Sequence, residues 1–303
     1  MSHFLVFAIG ENVDEQMERY SSHLVVDETV EDVDDAYKAE MLKYYRDEEN
    51  ISDDITFDEC YEKFGQRWDG GVCRKDEDGV WRKHIMYNKK AKWDWYMEGG
   101  RWSGFIQHFK DNITEILDKD DYTIGKDGKL KIRKDINSVP KKYIDFDAIR
   151  EEARRDAIRE YTEVEEGVGK ELIQRTIAEG TFKTYDSFVY PKKWEEHDSA
   201  FAVYSEQPIV KAWIKYREEC GKLILGFVDR YVKTMDEFVE DAVKNSFAPF
   251  ALLKDGEWYE KGTMWSWGIV LDEKKPSDWR DIASKILDTV GDDELITILD
   301  CHI

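Results

Sequence analysis

The sequence predicts an α+β fold: a mixed sheet core formed by both chain termini with hairpins, plus a helical middle region. Three observations predict it. Apolar runs suited to buried strands stand at both ends, "HFLVFAIG" at His3 to Gly10 and "ELITILDCHI" at Glu294 to Ile303. Asp-Gly steps beside alternating side chains mark tight hairpins, because glycine accepts a positive φ there. From Asp145 onward a helical period replaces the alternation.

In chain order, the first apolar run closes at Gly10 and gives way to "ENVDEQ", a helix or loop. Between Ala36 and Phe64 the residues Tyr37, Met41, Tyr44 and Tyr45 have helical spacing, interrupted at "NISDD". "KDEDGVWRKHIMYN" and "YTIGKDGKLKIRK" predict two hairpins. Ile149, Ala153, Ala157 and Tyr161 recur every four residues, so "DFDAIREEARRDAIREYTEV" predicts an amphipathic helix, followed by a second over Gly167 to Ala178.

A further helix is predicted to start at Pro208 and to break or kink at Gly221. Thr234 and Glu237 are spaced as a capping box for the next, with Phe238, Val239, Ala242 and Val243 on one face. The last third returns to strands: an Asp-Gly hairpin in "PFALLKDGEWYEKG", a strand in "MWSWGIVLD", a helix capped by Ser277, and the final apolar strand. The expected division is an N-terminal α+β part over 1–144, a helical region over 145–247, and C-terminal strands with a helix over 248–303 that complete the core sheet.

Composition narrows the function classes. The formal charge is −22 over 303 residues, which works against nucleic-acid and anionic-membrane binding and favours basic partners. Between Glu11 and Lys63 nineteen acidic residues face five basic ones, an acidic lobe. Two readings stay open for it: a solvated surface that keeps the protein soluble, or a partner-facing surface that imitates a nucleic-acid backbone. The beginning of the chain has no basic flank and no run of eighteen apolar residues occurs, so neither a signal peptide nor a membrane span is expected. Cys60, Cys73, Cys220 and Cys301 form no CxxC pair, and reduced thiols are expected.

Two constellations carry candidate chemistry. If the terminal strands are antiparallel neighbours, His3 comes close to Asp300, Cys301 and His302. His3, Asp300 and His302 are then candidate ligands for zinc or another divalent metal, and equally suited to general acid–base work; strand-end residues at a solvent edge are the alternative. No cofactor is otherwise expected. The second is "KWDWYMEGGRW", with four aromatic rings, two glycines and one arginine in eleven residues. On a strand, Trp93 and Trp95 face one way and Asp94 and Tyr96 the other, and Gly99-Gly100 turn the backbone before Arg101 and Trp102. Either the block is a packed aromatic shelf, with Arg101 stacked on a ring or paired with Asp94, or its rings hold a flat ligand while the glycine amides and Arg101 take a phosphate. "WYEKGTMWSWG" repeats the habit, and Trp265 and Trp267 share a strand face there. No P-loop, GxGxxG, HExxH, GxSxG or EF-hand spacing occurs.

"MSHFLVFAIGEN", "KWDWYMEGGRWSGF", "DGEWYEKGTMWSWG" and the terminal "LDCHI" together resemble a widespread group of bacteriophage-encoded proteins without an assigned function. Glu98 departs from the pattern, which has an apolar residue before the two glycines, and Phe146 to Phe247 lies outside the resemblance. The resemblance implies an accessory protein acting in the host bacterial cytoplasm, of the kind that counters host defence. The Gabija anti-defence family is similar in size and in being a protein-binding inhibitor, without a motif-by-motif match. The partner so implied is a host defence protein with a basic surface, with homo-oligomerisation left open. The competing expectation is a metal-dependent enzyme or nucleotide-binding sponge built on the terminal His/Asp group or the Trp-rich block.

Overall fold

A computed structural model describes residues 2–49, 52, 54–64, 72–189, 197–221, 227–264 and 270–303. The fold is α+β, and its mixed sheet contains strands from both ends of the chain. Two compact units form: Met1–Phe105 with Phe250–Lys274 and Glu294–Ile303, and Ile106–Pro249 with Lys275–Asp293.

Before residue 106 the elements are β1 (His3–Ile9), α1 (Val13–Glu18), β2 (Thr29–Asp32), α2 (Asp35–Glu49), α3 (Phe57–Phe64), β3 (Val72–Lys75), β4 (Trp81–Ile85) and β5 (Trp95–Glu98). From there to residue 249 come β6 (Tyr122–Ile124), β7 (Leu130–Ile132), β8 (Ser138–Pro140), α4 (Phe146–Val164), α5 (Lys170–Glu179), α6 (Tyr185–Val189), α7 (His197–Ser205), α8 (Pro208–Cys220) and α9 (Met235–Asn245). The remainder holds β9 (Ala251–Lys254), β10 (Glu257–Glu260), β11 (Thr263–Met264), β12 (Val270–Leu271), α10 (Pro276–Asp288) and β13 (Leu295–His302).

In the first unit the strand order is β10-β9-β1-β13-β5. β1 is antiparallel to β13, pairing His3 with His302 and Leu5 with Asp300, and parallel to β9, pairing Val6 with Ala251. β5 is antiparallel to β13, with His302 opposite Trp95 and Asp300 opposite Met97. Both faces of β1 are buried, which is why it reads as one apolar run and not as an alternation. Phe4, Val6, Ala8, Leu299 and Cys301 share one face with Met17 and Tyr20, while Phe7 on the other meets Phe105, ring centroids 5.6 Å apart.

The β9–β10 turn explains its Asp-Gly step: Asp255 at φ +54° and Gly256 at φ +76° are both left-handed, as a two-residue hairpin turn demands. A smaller sheet, β2-β4-β3, covers α2 and α3 through Val33, Phe57, Tyr61 and Cys73. Charge pairs line it: Arg82 Nε donates to Asp32 Oδ1 at 2.9 Å, and Lys89 to Glu31.

The second unit is mainly helical, and residues 145–247 fall within it. α4 starts where Asp145 Oδ1 accepts from the Ala148 amide at 3.0 Å, and α9 carries the Thr234–Glu237 capping box. Ala157, Tyr161, Val164, Ile173, Trp213 and Phe238 are among its buried core. α4 runs through a single π turn, Glu165–Gly169, into α5, so the second predicted helical stretch, Gly167 to Ala178, covers the end of that turn and most of α5. α8 starts with Pro208 at its first turn and ends at Gly221, φ +57°.

Two expectations are corrected. α10 is not capped by Ser277: Pro276 takes the first helical position, where its missing N–H costs nothing, and Lys275 is the N-cap. "MWSWGIVLD" is not one strand, because Met264 and Val270 belong to two strands, Thr263–Met264 and Val270–Leu271, that pair with each other antiparallel. Trp265 and Trp267 lie outside the described residues. Among the described residues no helix is long and apolar enough to cross a membrane.

Candidate functional site

The two sequence constellations meet at one place in the first unit, because β13 lies between β1 and β5. Directly opposed residues on antiparallel strands point to the same face. His3, His302 and Trp95 therefore make one row across three strands, and Leu5, Asp300 and Met97 the next. Cys301 points the other way, into the apolar cluster with Phe4 and Leu299, where burial pushes its thiol up.

Asp300 is 1% exposed and satisfied on both oxygens. His3 Nδ1 lies 2.9 Å from Oδ1, and the backbone N–H of Arg101 donates to Oδ2 at 2.9 Å. The second contact explains the two glycines. Gly99 and Gly100 have φ of +71° and +52°, and a Cβ on Gly100 would sit 2.5 Å from the Asp300 Cβ. The Arg101 amide, beside the glycines that the sequence offers to a phosphate, is thus engaged by the chain's own carboxylate.

A second histidine–carboxylate pair lies alongside. His302 Nδ1 is 2.7 Å from Asp94 Oδ1, and the Asp94 amide donates to the His302 carbonyl at 2.9 Å. The His302 ring stacks on Trp95 at 5.1 Å and 14° between planes, and meets the edge of His3 at 5.0 Å. With Nδ1 donating to Asp94, the remaining nitrogen of a neutral His302 ring is a lone-pair acceptor. That Nε2 is buried and has no hydrogen-bond partner among the described residues.

The block itself differs from an ideal strand. β5 begins only at Trp95, so Trp93 and Trp95 do not share a face. Trp93 turns inward beside Tyr96, centroids 4.8 Å apart, with Nε1 donating to the Met17 carbonyl at 3.1 Å. Trp95 stays 41% exposed and Met97 50% exposed on the strand that ends the sheet order. Trp93 and Trp258 pack against the same apolar cluster, the structural role considered for the aromatic blocks. Trp102 Nε1 is buried without a partner among the described residues.

Of the predicted site residues, His3, Asp300 and His302 come together, and Asp94, Trp95, Gly100 and Arg101 join them. The link from Asp94 to His302 is not legible in the sequence, because nothing local sets β5 beside β13. Chemically, each carboxylate orients an imidazole, the arrangement that general acid–base chemistry uses. Among the described residues no group of three or more His, Cys, Asp or Glu side chains is placed to hold a metal ion. The chain matches no known protein family, no curated protein and no solved structure.

Proposed function

We propose that this chain is a phage-encoded counter-defence protein that binds and inhibits a host bacterial immune protein complex, a nuclease such as Gabija among the candidates, through an acidic surface. The observation that carries this reading is the exposure of carboxylates in the acid-rich first unit. Asp14, Glu15 and Glu18 on α1 are exposed with no basic residue in its last turn, and all four residues of β2 are exposed. Clustered negative charge raises the rate of encounter with a basic groove, and its contribution fades as salt screens it. Part of the lobe is internally compensated, since Glu28, Glu31, Asp32 and Asp58 pair with His84, Lys89, Arg82 and Lys75. α1 is therefore the better candidate for the contact.

A pull-down from defence-carrying bacterial cells tests this. Recovery of a defence protein, with binding that weakens steeply as salt rises from about 0.1 to 0.5 M, supports the proposal. Equally tight binding at high salt, or recovery of small molecules only, rejects it.

A second reading, an enzyme or nucleotide sponge at the His3–Asp300 and His302–Asp94 pairs, is favoured by the partnerless buried Nε2 of His302. Metal analysis and the variants His3→Ala and His302→Ala separate the two. Retained counter-defence function in both variants, without bound metal, leaves the acidic surface as the working part.

A further inference from the structure

β5 ends the strand order of the mixed sheet, so among the described residues only one of its two edges is paired. The Gly99 amide donates to the Ile298 carbonyl at 2.8 Å, and Met97 and Trp95 stand opposite Asp300 and His302. Backbone groups alternate in direction along a strand, which turns the N–H and C=O of Tyr96 and Glu98 away from β13. These outward groups have no hydrogen-bond partner among the described residues. Just upstream the same edge is covered, because the Ser22 amide donates to the Trp93 carbonyl at 2.8 Å. The open stretch is therefore Trp95–Glu98.

Side chains along this edge are sorted by face. Trp95 and Met97, 41% and 50% exposed, take one face. Tyr96 and Glu98 take the other, where the Tyr96 hydroxyl donates to Asp14 of α1. β5 and α1 together present Asp14, Glu15, Glu18 and Glu98, all exposed, and contain no basic residue. Arg19, just beyond α1, lies instead beside Gly256 in the β9–β10 turn. Sheet edges are commonly guarded by Lys, Pro or inward-pointing charge. β5 offers a tryptophan and a methionine, residue types enriched where proteins dock.

We propose that Trp95–Glu98 is a docking edge for an extended segment of a basic protein, which adds to the sheet as its next strand. The segment alternates apolar side chains with Lys or Arg. Its apolar side chains lie on Trp95 and Met97, and its cations face Glu98 and α1. This inference rests on the acidic-surface reading and names the place where the partner's backbone is gripped.

Fluorescence anisotropy of labelled peptides mixed with the full chain tests it. The peptide KVKVKVK should bind one saturable site, and KKKKVVV, of equal charge without the alternation, should bind at least about tenfold more weakly. Glu98→Pro removes an outward N–H that β13 does not use and should weaken KVKVKVK about tenfold, whereas Glu98→Gln, which removes only the charge, should weaken it about threefold. Equal affinity for the two peptides, or equal affinity in the two variants, overturns the docking edge. The peptide comparison uses the unmodified chain and decides the matter if Glu98→Pro does not fold. A dimer in sedimentation that Glu98→Pro dissociates assigns the edge to a second copy and overturns the proposal as well. Salt-sensitive capture of a defence protein, undiminished by Glu98→Pro, rejects the edge and leaves the acidic surface standing. Alternation-dependent peptide binding without such capture keeps the edge and rejects the counter-defence reading.

Discussion

Gly100 lies against Asp300 so closely that a single added carbon would stand 2.5 Å from the aspartate's Cβ and 2.6 Å from its Oδ2. Gly100→Ala should therefore destabilise the protein by more than its left-handed φ alone requires. Gly79 gives the comparison, with φ +81° and open space, nothing within 4 Å, where a Cβ would stand. Urea denaturation should give about 1 kcal/mol for Gly79→Ala and at least about 2 kcal/mol for Gly100→Ala. Equal losses would show that Asp300 yields without cost.

Asp300 holds two donors from opposite sides, so its removal leaves both the His3 Nδ1 proton and the Arg101 amide without this acceptor. Asp300→Ala should cost about 2–4 kcal/mol, on the basis of about 1–3 kcal/mol for each buried unsatisfied group. Asp300→Asn, which keeps an acceptor, should lose less. The denaturation midpoints of the two variants decide this, and coincident midpoints speak against it.

The small sheet β2-β4-β3 should be acid-labile. Hydrogen bonds from Arg82 hold the Asp76 and Asp78 carboxyls below the usual range, and one from Lys75 does the same for Asp58. A depressed folded-state pKa contributes stability that is complete above the unfolded value, about 3.9, and is lost as pH falls through the folded values. Melting temperature should be level down to about pH 5 and fall below about pH 4. Arg82→Gln should lower it near neutrality and flatten the acid limb; an unchanged acid limb would remove the ion pairs as its cause.

Burial raises the thiols of Cys301 and Cys60. Near pH 8 a disulfide reagent should modify Cys220, the partly exposed thiol, first, and Cys301 and Cys60 only on unfolding. Mass spectrometry of the modified native protein checks the order. Rapid labelling of Cys301 in the folded state would contradict its place in the apolar cluster.

Much of this architecture is readable from local pattern. The terminal strands are legible because both are continuous apolar runs, and the meeting of His3 with His302 follows once they are taken as antiparallel neighbours. Thr234 with Glu237, Pro208 and the Asp-Gly step at Asp255 carry their own stereochemistry and are found where expected. The faces of Trp93 and Trp95 depart from the expected alternation because β5 starts only at Trp95, two residues beyond the first ring of the block. Asp94 is visible as a residue but not as the partner of His302, since that contact spans 208 positions and depends on register alone.

The pairing of β1 with β13 also orders events during synthesis. The contact from His3 to Asp300 spans 297 positions, so β1 leaves the ribosome long before the strand that fills its antiparallel side exists. Contacts that distant in the chain close slowly. A strand apolar on both faces must be shielded from neighbouring nascent chains in the meantime, and a ribosome stalled short of β13 would release a product with that strand's hydrogen bonds still open to aggregation.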